Sequence, residues 1–275
     1  MMLRGSVGWW RYAYLVFAWV LVCAVAAHAD TWQDVVWQDD FEDGDYTSNP
    51  TWTAFGSPGA SRSVTTWEGD YAFRHTAPYY SDAGAGWSGA YVSDSLGDQG
   101  IEGWVDTSPV QSDDWAALYM LRYSPPSLGF GTGYGVSVTY NAAGAITAQL
   151  YQLNDTTYTA ITDAVTVSGS YQDVWVRFMA TGTDADTRLL SRVWVDGQSE
   201  PAKWTLDSDN PGSAGGISSY YNTGYGGVGA VATGSEVTAD AYFDDVKYGI
   251  PEPASLALMA AGLGALVLRT RRRKQ

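Results

Sequence analysis

Acidic side chains crowd both ends of the central part of this chain. The first group comprises Asp39, Asp40, Glu42, Asp43 and Asp45, and the second comprises Asp244 and Asp245. Ca²⁺ prefers roughly six to eight hard oxygen ligands, a mixture of carboxylates, carbonyls and water. If the fold brings the two groups together, their charge destabilises it unless a cation neutralises them. This spacing predicts a structural calcium site; the alternative is a solvated acidic rim without metal.

The residue types present give little support for catalytic chemistry. Beyond residue 29 the chain has one histidine, His75, and no cysteine, which excludes a cysteine nucleophile and zinc sites built on several histidines. No Gly-x-Ser-x-Gly pattern surrounds a serine. The Gly-x-Gly-x-x-Gly match at 224–229 leads into a predicted strand, so we interpret these glycines as allowing a tight bend.

One loop combines aromatic rings with a polar amide. Tyr220, Tyr221, Asn222 and Tyr225 lie in a glycine-flanked segment, and loops of this kind often carry binding residues. Tyrosine rings can stack on sugar faces, while an amide hydrogen-bonds hydroxyl groups. We therefore predict a glycan-binding loop here. Further aromatic candidates, each equally compatible with a place in the core, are Tyr79, Tyr80, Trp87, Trp115 and Tyr134.

The elements that must position these residues are predicted to be strands. Twelve segments rich in Val, Tyr, Trp and Thr alternate with Gly, Asn, Asp, Ser and Pro clusters, and 141–144 and 195–198 are predicted turns. They are 35–41, 71–76, 89–93, 101–106, 115–123, 135–141, 145–153, 158–161, 174–180, 188–195, 227–232 and 239–248. No convincing helical period occurs between the two chain ends. The pattern predicts an all-β fold, a two-sheet antiparallel jelly-roll sandwich.

The two ends of this domain resemble concanavalin A-like lectin/glucanase jelly rolls. The resemblance lies in Trp37–Trp52 and Ala241–Tyr248, with further likeness at Asp173–Phe178 and Arg192–Trp204. It implies that the first and last strands lie side by side, where many members of this superfamily hold a structural Ca²⁺.

The same resemblance indicates which acidic residues to test. Asp244 is similar in position to the calcium-ligating Asp of family-16 glycoside hydrolases, and we add Asp40 and Asp43 as predicted partners. Catalytic members of the superfamily carry a Glu-x-Asp-x-x-Glu strand, and none of the five glutamates within residues 30–250 belongs to such a motif. We therefore predict no catalytic residues.

Charge excludes two classes of partner. Residues 30–250 contain eight basic and 29 acidic residues, a formal net charge of −21. Such a surface repels nucleic acid and anionic lipid, so neither is expected as a ligand. About 221 residues suffice for one sizeable core, and we predict one domain over 30–250.

The C-terminal 25 residues form a tripartite tail. Pro251, Glu252 and Pro253 precede an uncharged apolar run, 254–268, which as a helix would be roughly 22 Å long and thus short for a permanent anchor. The tail ends in a basic cluster expected to stay cytoplasmic: Arg269, Arg271, Arg272, Arg273 and Lys274. Residues 251–275 resemble the PEP-CTERM sorting signal of Gram-negative bacteria. The resemblance implies transient anchoring in the inner membrane by a short transmembrane helix and processing by an exosortase-type membrane protease.

The N-terminal segment agrees with export. Arg4 and Arg11 precede an apolar run, 12–25, and an Ala27-His28-Ala29 cleavage pattern, which together predict a secretory signal peptide over 1–29. We therefore expect a protein that is exported through the inner membrane to the cell surface or exopolysaccharide matrix. Binding or scaffolding of extracellular polysaccharide is the favoured function. A purely structural matrix protein and an atypical polysaccharide hydrolase or lyase remain the alternatives.

Overall fold

Sixteen β-strands account for nearly all regular structure in the computed structural model. The model describes residues 32–80, 85–107, 114–125, 131–155, 157–167, 173–234 and 238–251. The first eight strands are β1 Trp32–Asp39, β2 Trp52–Gly56, β3 Ser61–Trp67, β4 Asp70–Pro78, β5 Gly86–Leu96, β6 Gln99–Asp106, β7 Trp115–Ser124 and β8 Thr132–Tyr140. The remaining eight are β9 Ile146–Asn154, β10 Thr157–Ala160, β11 Val165–Val167, β12 Asp173–Thr181, β13 Arg188–Val195, β14 Leu206–Asp207, β15 Gly224–Ala232 and β16 Thr238–Pro251.

The strands form two antiparallel sheets. In the first sheet the order is β14-β13-β12-β6-β16-β4-β3, with β1 also paired to β16. In the second sheet the order is β10-β9-β8-β7-β15-β5-β2, with β11 also paired to β9. This arrangement confirms the predicted two-sheet antiparallel sandwich and the pairing of the first with the last strand. The predicted signal helix and membrane helix lie outside the described residues.

Each of the twelve predicted strands coincides with an observed one, and four strands were not predicted. β3 is an edge strand of mostly polar residues, and β2, β11 and β14 are five, three and two residues long. The turn at Asn141 is confirmed, because its backbone N–H donates to Ala145 O and Gly144 N–H donates back to Asn141 O. Gln198 N–H donates to Val195 O as predicted, but seven residues then separate this turn from β14.

Alternate residues of the strands fill one core between the sheets. Residues Val35–Ile250 make up one compact unit. The aromatic members of its core stack around the junction of β1, β4 and β16: Trp37, Phe41, Trp52, Phe73, Phe243 and Tyr248. Trp115, Tyr119 and Tyr134 of the second sheet belong to the same core. Each sheet turns one face toward this core. The opposite face of each sheet points outward, where binding residues can be placed.

Candidate functional site

Buried polar groups of the second sheet hold the loop that precedes β15. Gln152 on β9 is fully buried, and its Oε1 accepts hydrogen bonds from Ser218 N–H at 3.0 Å and Ser219 N–H at 3.1 Å. Tyr134 on β8 is also fully buried; its hydroxyl donates to Ser219 O at 3.2 Å and accepts from Tyr221 N–H at 2.9 Å. Buried side chains of β8 and β9 therefore hold residues 218–221 in place.

Arg122 on β7 is the third group that holds this loop. It has a φ of +48° at a bulge in β7, and its side chain is fully buried. The guanidinium donates to Tyr221 O at 2.9 Å, and also to Gly97 O at 3.0 Å and Gly182 O at 2.5 Å. One buried cation thus connects three surface loops. Because burying a cation is costly unless it is well hydrogen-bonded, this network specifies the loop conformation strongly.

The four predicted glycan-binding residues occupy different environments within this loop. Tyr220 is 45% exposed. The Tyr221 hydroxyl contacts Leu153 O at 3.1 Å and Asn154 Oδ1 at 2.5 Å, and its ring packs on the core. Asn222 forms reciprocal hydrogen bonds of 2.8 and 2.9 Å with Asp184. Tyr221 and Asn222 therefore support the loop, while Tyr220 is the member presented to solvent.

Tyr225 joins a cluster of aromatic rings on the outer face of the second sheet. Its ring stacks on Tyr91 with centroids 5.0 Å apart, and Tyr91 contacts Tyr123, which stacks on Phe55 at 5.0 Å. Phe55 lies over Gly89, where a Cβ atom would come within 2.2 Å of its ring. The cluster thus needs a glycine beneath it. Phe55, Tyr91 and Tyr225 remain half-buried, so each ring keeps part of its surface open to solvent.

The further aromatic candidates are mostly in protein cores. Trp115 and Tyr134 pack in the main core, and Trp87 packs in a smaller cluster on the outer face of the second sheet. Tyr79 and Tyr80 are half-buried. A hollow of about 80 Å³ lies beside Trp115. Its lining includes Ser137, Thr139, Tyr151, Tyr158 and Thr233.

Two of the predicted calcium ligands lie in the loop after β1. Asp40 Oδ1 and Asp43 Oδ1 accept the backbone N–H groups of Glu42 and Asp45 at 3.3 and 2.9 Å. Asp40 and Asp43 also line a polar cleft of about 470 Å³ together with Asp39. Burial raises the pKa of Asp39 to about 6, although hydrogen bonds from Trp52 Nε1 and Phe41 N–H oppose the shift.

The third predicted ligand, Asp244, lies at an irregularity in β16. The pairing of β16 with β6 shifts between Asp244 and Lys247, and Asp245 has a φ of +51°. Burial raises the pKa of Asp244 to about 7, and the charges of Asp245, Asp70 and Glu42 raise it further against one backbone hydrogen bond. Among the described residues no group of three or more His, Cys, Asp or Glu side chains is arranged to hold a metal ion.

Comparison with known families decides the nature of the tail. Residues 249–273 match the PEP-CTERM protein-sorting motif. The chain carries a PEP-CTERM sorting signal. This signal implies an exported protein that an exosortase recognises. Glu252, Pro253, the apolar run and the basic cluster lie outside the described residues, as does the predicted signal peptide; no helix in the described part is long and apolar enough to cross a membrane.

Solved structures similar to this PEP-CTERM protein support the fold of its sandwich. A xylan β-1,4-xylosidase from Bacillus halodurans C-125 matches with a TM-score of 0.53 and 13% identity, over 79% of this chain and 40% of that one. The GH43 BlXynB protein from Bacillus licheniformis matches with a TM-score of 0.51 and 13% identity, over 79% and 40%. The chain therefore spans about two fifths of these proteins, and the likeness concerns fold alone. A search of curated proteins finds no match.

The sequence prediction missed a third group of residues, on the outer face of the first sheet. Trp104, Trp175 and Trp194 are register partners on β6, β12 and β13, and all three are half-buried. Trp175 and Trp194 each stand between two core valines, a pattern that places them on the outer face of a strand. This alternation in the sequence could have indicated that both tryptophans lie on the outer face of the sheet.

Proposed function

We propose that this exported protein binds extracellular glycan without cleaving it, through the surface formed by Tyr220, Tyr225, Tyr91 and Phe55. The observation that carries the proposal is the fixed loop: Arg122, Tyr134 and Gln152 are buried to hold residues 218–221 in place. A binding loop that is already ordered loses little conformational entropy when a ligand arrives. Half-buried tyrosines offer ring faces to the apolar side of a sugar, with hydroxyl groups at their edges.

The experiment measures depletion of the protein by exopolysaccharide from the source organism. Protein purified from cells that express the full chain is mixed with the polysaccharide, sedimented, and quantified in the supernatant. Tyr220→Ala should weaken binding about tenfold, which corresponds to one lost stacking contact. Tyr158→Ala, which removes a similarly exposed tyrosine elsewhere on the second sheet, should leave binding unchanged. Equal depletion of all three proteins would contradict the proposed surface.

Hydrolysis is a second candidate function with one observation in its favour. The carboxyl groups of Asp106 and Asp173 face each other across β6 and β12, and burial followed by the charge of Asp106 raises the pKa of Asp173 to about 7. Glycosidases pair a protonated with an ionised carboxyl group in their active sites. Reducing ends released during the depletion experiment, and lost in Asp173→Asn, would establish hydrolysis. Neither depletion nor release would favour a structural matrix protein.

Calcium binding is proposed on the chemistry of the acidic groups around β16. The predicted ligands Asp40, Asp43 and Asp244 would supply the hard oxygen atoms that Ca²⁺ prefers. Burial, and after it the charges of Asp245, Asp70 and Glu42, raise the pKa of Asp244, and a bound cation would relieve that repulsion. The ion would stabilise the contact between the loop after β1 and the last strand; it has no assigned part in sugar recognition.

A further inference from the structure

Three register-paired tryptophans of the first sheet, Trp104, Trp175 and Trp194, form a row on its outer face, which we call the tryptophan face. Trp175 pairs with Trp104 on one side and Trp194 on the other, and the rings of Trp175 and Trp194 are nearly parallel with centroids 6.3 Å apart. Adjacent strands lie about 4.8 Å apart, so register partners on them are direct neighbours along the row. Contiguous half-exposed aromatic surface of this kind is characteristic of binding sites.

A second aromatic unit borders this row. Trp67 at the end of β3 lies flat on Tyr242 of β16, with ring centroids 3.9 Å apart, and covers it almost completely. Trp67 Nε1 donates to Asp106 Oδ2 at 2.6 Å. Trp175 Nε1 donates in the same way to Asp196 Oδ1 at 2.8 Å. Carboxylates therefore fix two indole rings by their edges.

Carboxylates gather along one side of the tryptophan face. Asp106 and Asp173 are register partners. They lie two residues along the strands from Trp104 and Trp175, on the same face. Burial is the largest cause that raises the pKa of the Asp173 carboxyl group. The negative charges of Glu68 and Asp196 raise it further. A carboxyl group so placed gains most when a cation comes close.

Three arginines of the same sheet face already have acidic partners. Arg177 binds Glu102 through Nε at 2.6 Å and Glu200 through a terminal nitrogen at 2.9 Å. Arg192 shares Glu200 at 2.8 Å, and Arg74 at the opposite end binds Asp240 at 2.7 Å. Asp173 and Asp196, by contrast, form no ion pair with a basic residue within the part of the chain that the structure describes.

We propose that the tryptophan face is a second ligand surface and that its ligand is an amine-bearing glycan. Sugar rings would stack on the indoles, and their ammonium groups would lie between the indole faces and the carboxylates of Asp173 and Asp196. A neutral glycan would leave these carboxylates without a counter-charge, and an anionic one would be repelled. The regular row of rings favours a chain of repeated rigid units over a lysine-rich peptide, which must immobilise long side chains.

The test compares soluble oligosaccharides that differ only in the amine. Protein purified from cells that express the full chain is titrated at pH 6.5, by calorimetry, with glucosamine oligomers, with the same oligomers fully N-acetylated, and with lysine oligomers of equal charge. We expect glucosamine oligomers to bind at least about tenfold more tightly than either of the others. Equal affinity for the N-acetylated form would overturn recognition of the amine, and equal affinity for oligolysine would overturn the glycan.

Variants separate this face from general attraction to an acidic protein. Trp175→Ala and Asp173→Asn should each weaken glucosamine binding about tenfold. Asp94→Asn, which removes one exposed charge from β5 of the second sheet, should change it less than twofold. Tyr220→Ala should have no effect, so this result is independent of the glycan surface proposed above. Equal affinity in wild type and Asp173→Asn would refute the assignment even if Trp175→Ala fails to fold.

Discussion

Acidification should destabilise the sandwich through its one core histidine, His75. The side chain is fully buried between the rings of Phe73 and Phe243, at centroid distances of 4.3 and 5.4 Å. Nδ1 lies 3.3 Å from Ser88 Oγ, and among the described residues Nε2 has no hydrogen-bond partner. Burial, assisted by the positive charge of Arg62, lowers the pKa of His75 from 6.5 to about 3. The folded protein therefore holds this imidazole neutral.

The free energy follows from the difference in proton uptake. Below pH 6.5 the unfolded chain binds a proton that the folded protein refuses, so stability falls as the pH falls. Between pH 8 and pH 5 the loss from His75 is about 2 kcal/mol, and it continues to grow down to the folded pKa. Asp39, Asp173 and Asp244 act with the opposite sign. Their pKa values are raised to about 6, 7 and 7, so on acidification the folded protein takes up these protons before the unfolded chain does.

The assay compares wild type with His75→Gln by urea denaturation at pH 8 and pH 5. Subtraction cancels the carboxyl groups, which are common to both proteins, and the variant should lose about 2 kcal/mol less on acidification. His75→Phe, which keeps an aromatic ring between the same neighbours, should show the same reduced pH dependence. Parallel changes in the three proteins would refute the inference that His75 is neutral in the fold.

Three further predictions concern the loop network, the metal and the tail. Arg122→Met leaves three half-buried carbonyl groups without this donor at about 1 kcal/mol each, so urea denaturation should show a loss of about 3 kcal/mol, and an unchanged midpoint would contradict the network. Chelator should lower the melting temperature of the wild type but not of Asp244→Asn, while Asp94→Asn should respond like the wild type; no response in any of them would exclude calcium. Glu252→Gln should leave exported protein with its tail intact by mass spectrometry, whereas Gln275→Ala should be processed normally.

Alternation of side chains made the sandwich predictable. Val174–Ala180 places apolar residues at every second position, Arg188–Val195 does so at all such positions but Ser191, and both are strands of the first sheet. β3 lacked that signal because Ser61–Trp67 is a polar edge strand, whose backbone pairing with β4 does not depend on an apolar face. The sequence therefore predicts those strands in which alternate residues are apolar and pack in the core.

The candidate loop was predictable in composition but not in the role of each residue. Asn222 pairs with Asp184, and Tyr221 depends on Arg122, a residue 99 positions earlier in the chain. No local pattern reports such contacts, which arise only when the strands of the second sheet are assembled. The one available hint was an arginine in β7, where the neighbouring residues are apolar.

The position of β16 also orders the events of export. This strand is the last of the sandwich, yet it lies inside the first sheet, where it pairs with β6, β4 and β1. Phe243 of β16 is paired with Phe73, which left the ribosome 170 residues earlier. Such distant pairing cannot form until residues 238–250 are on the same side of the membrane as the rest. A chain that crosses the membrane unfolded would therefore complete this sheet only when the residues directly before the sorting signal have crossed as well.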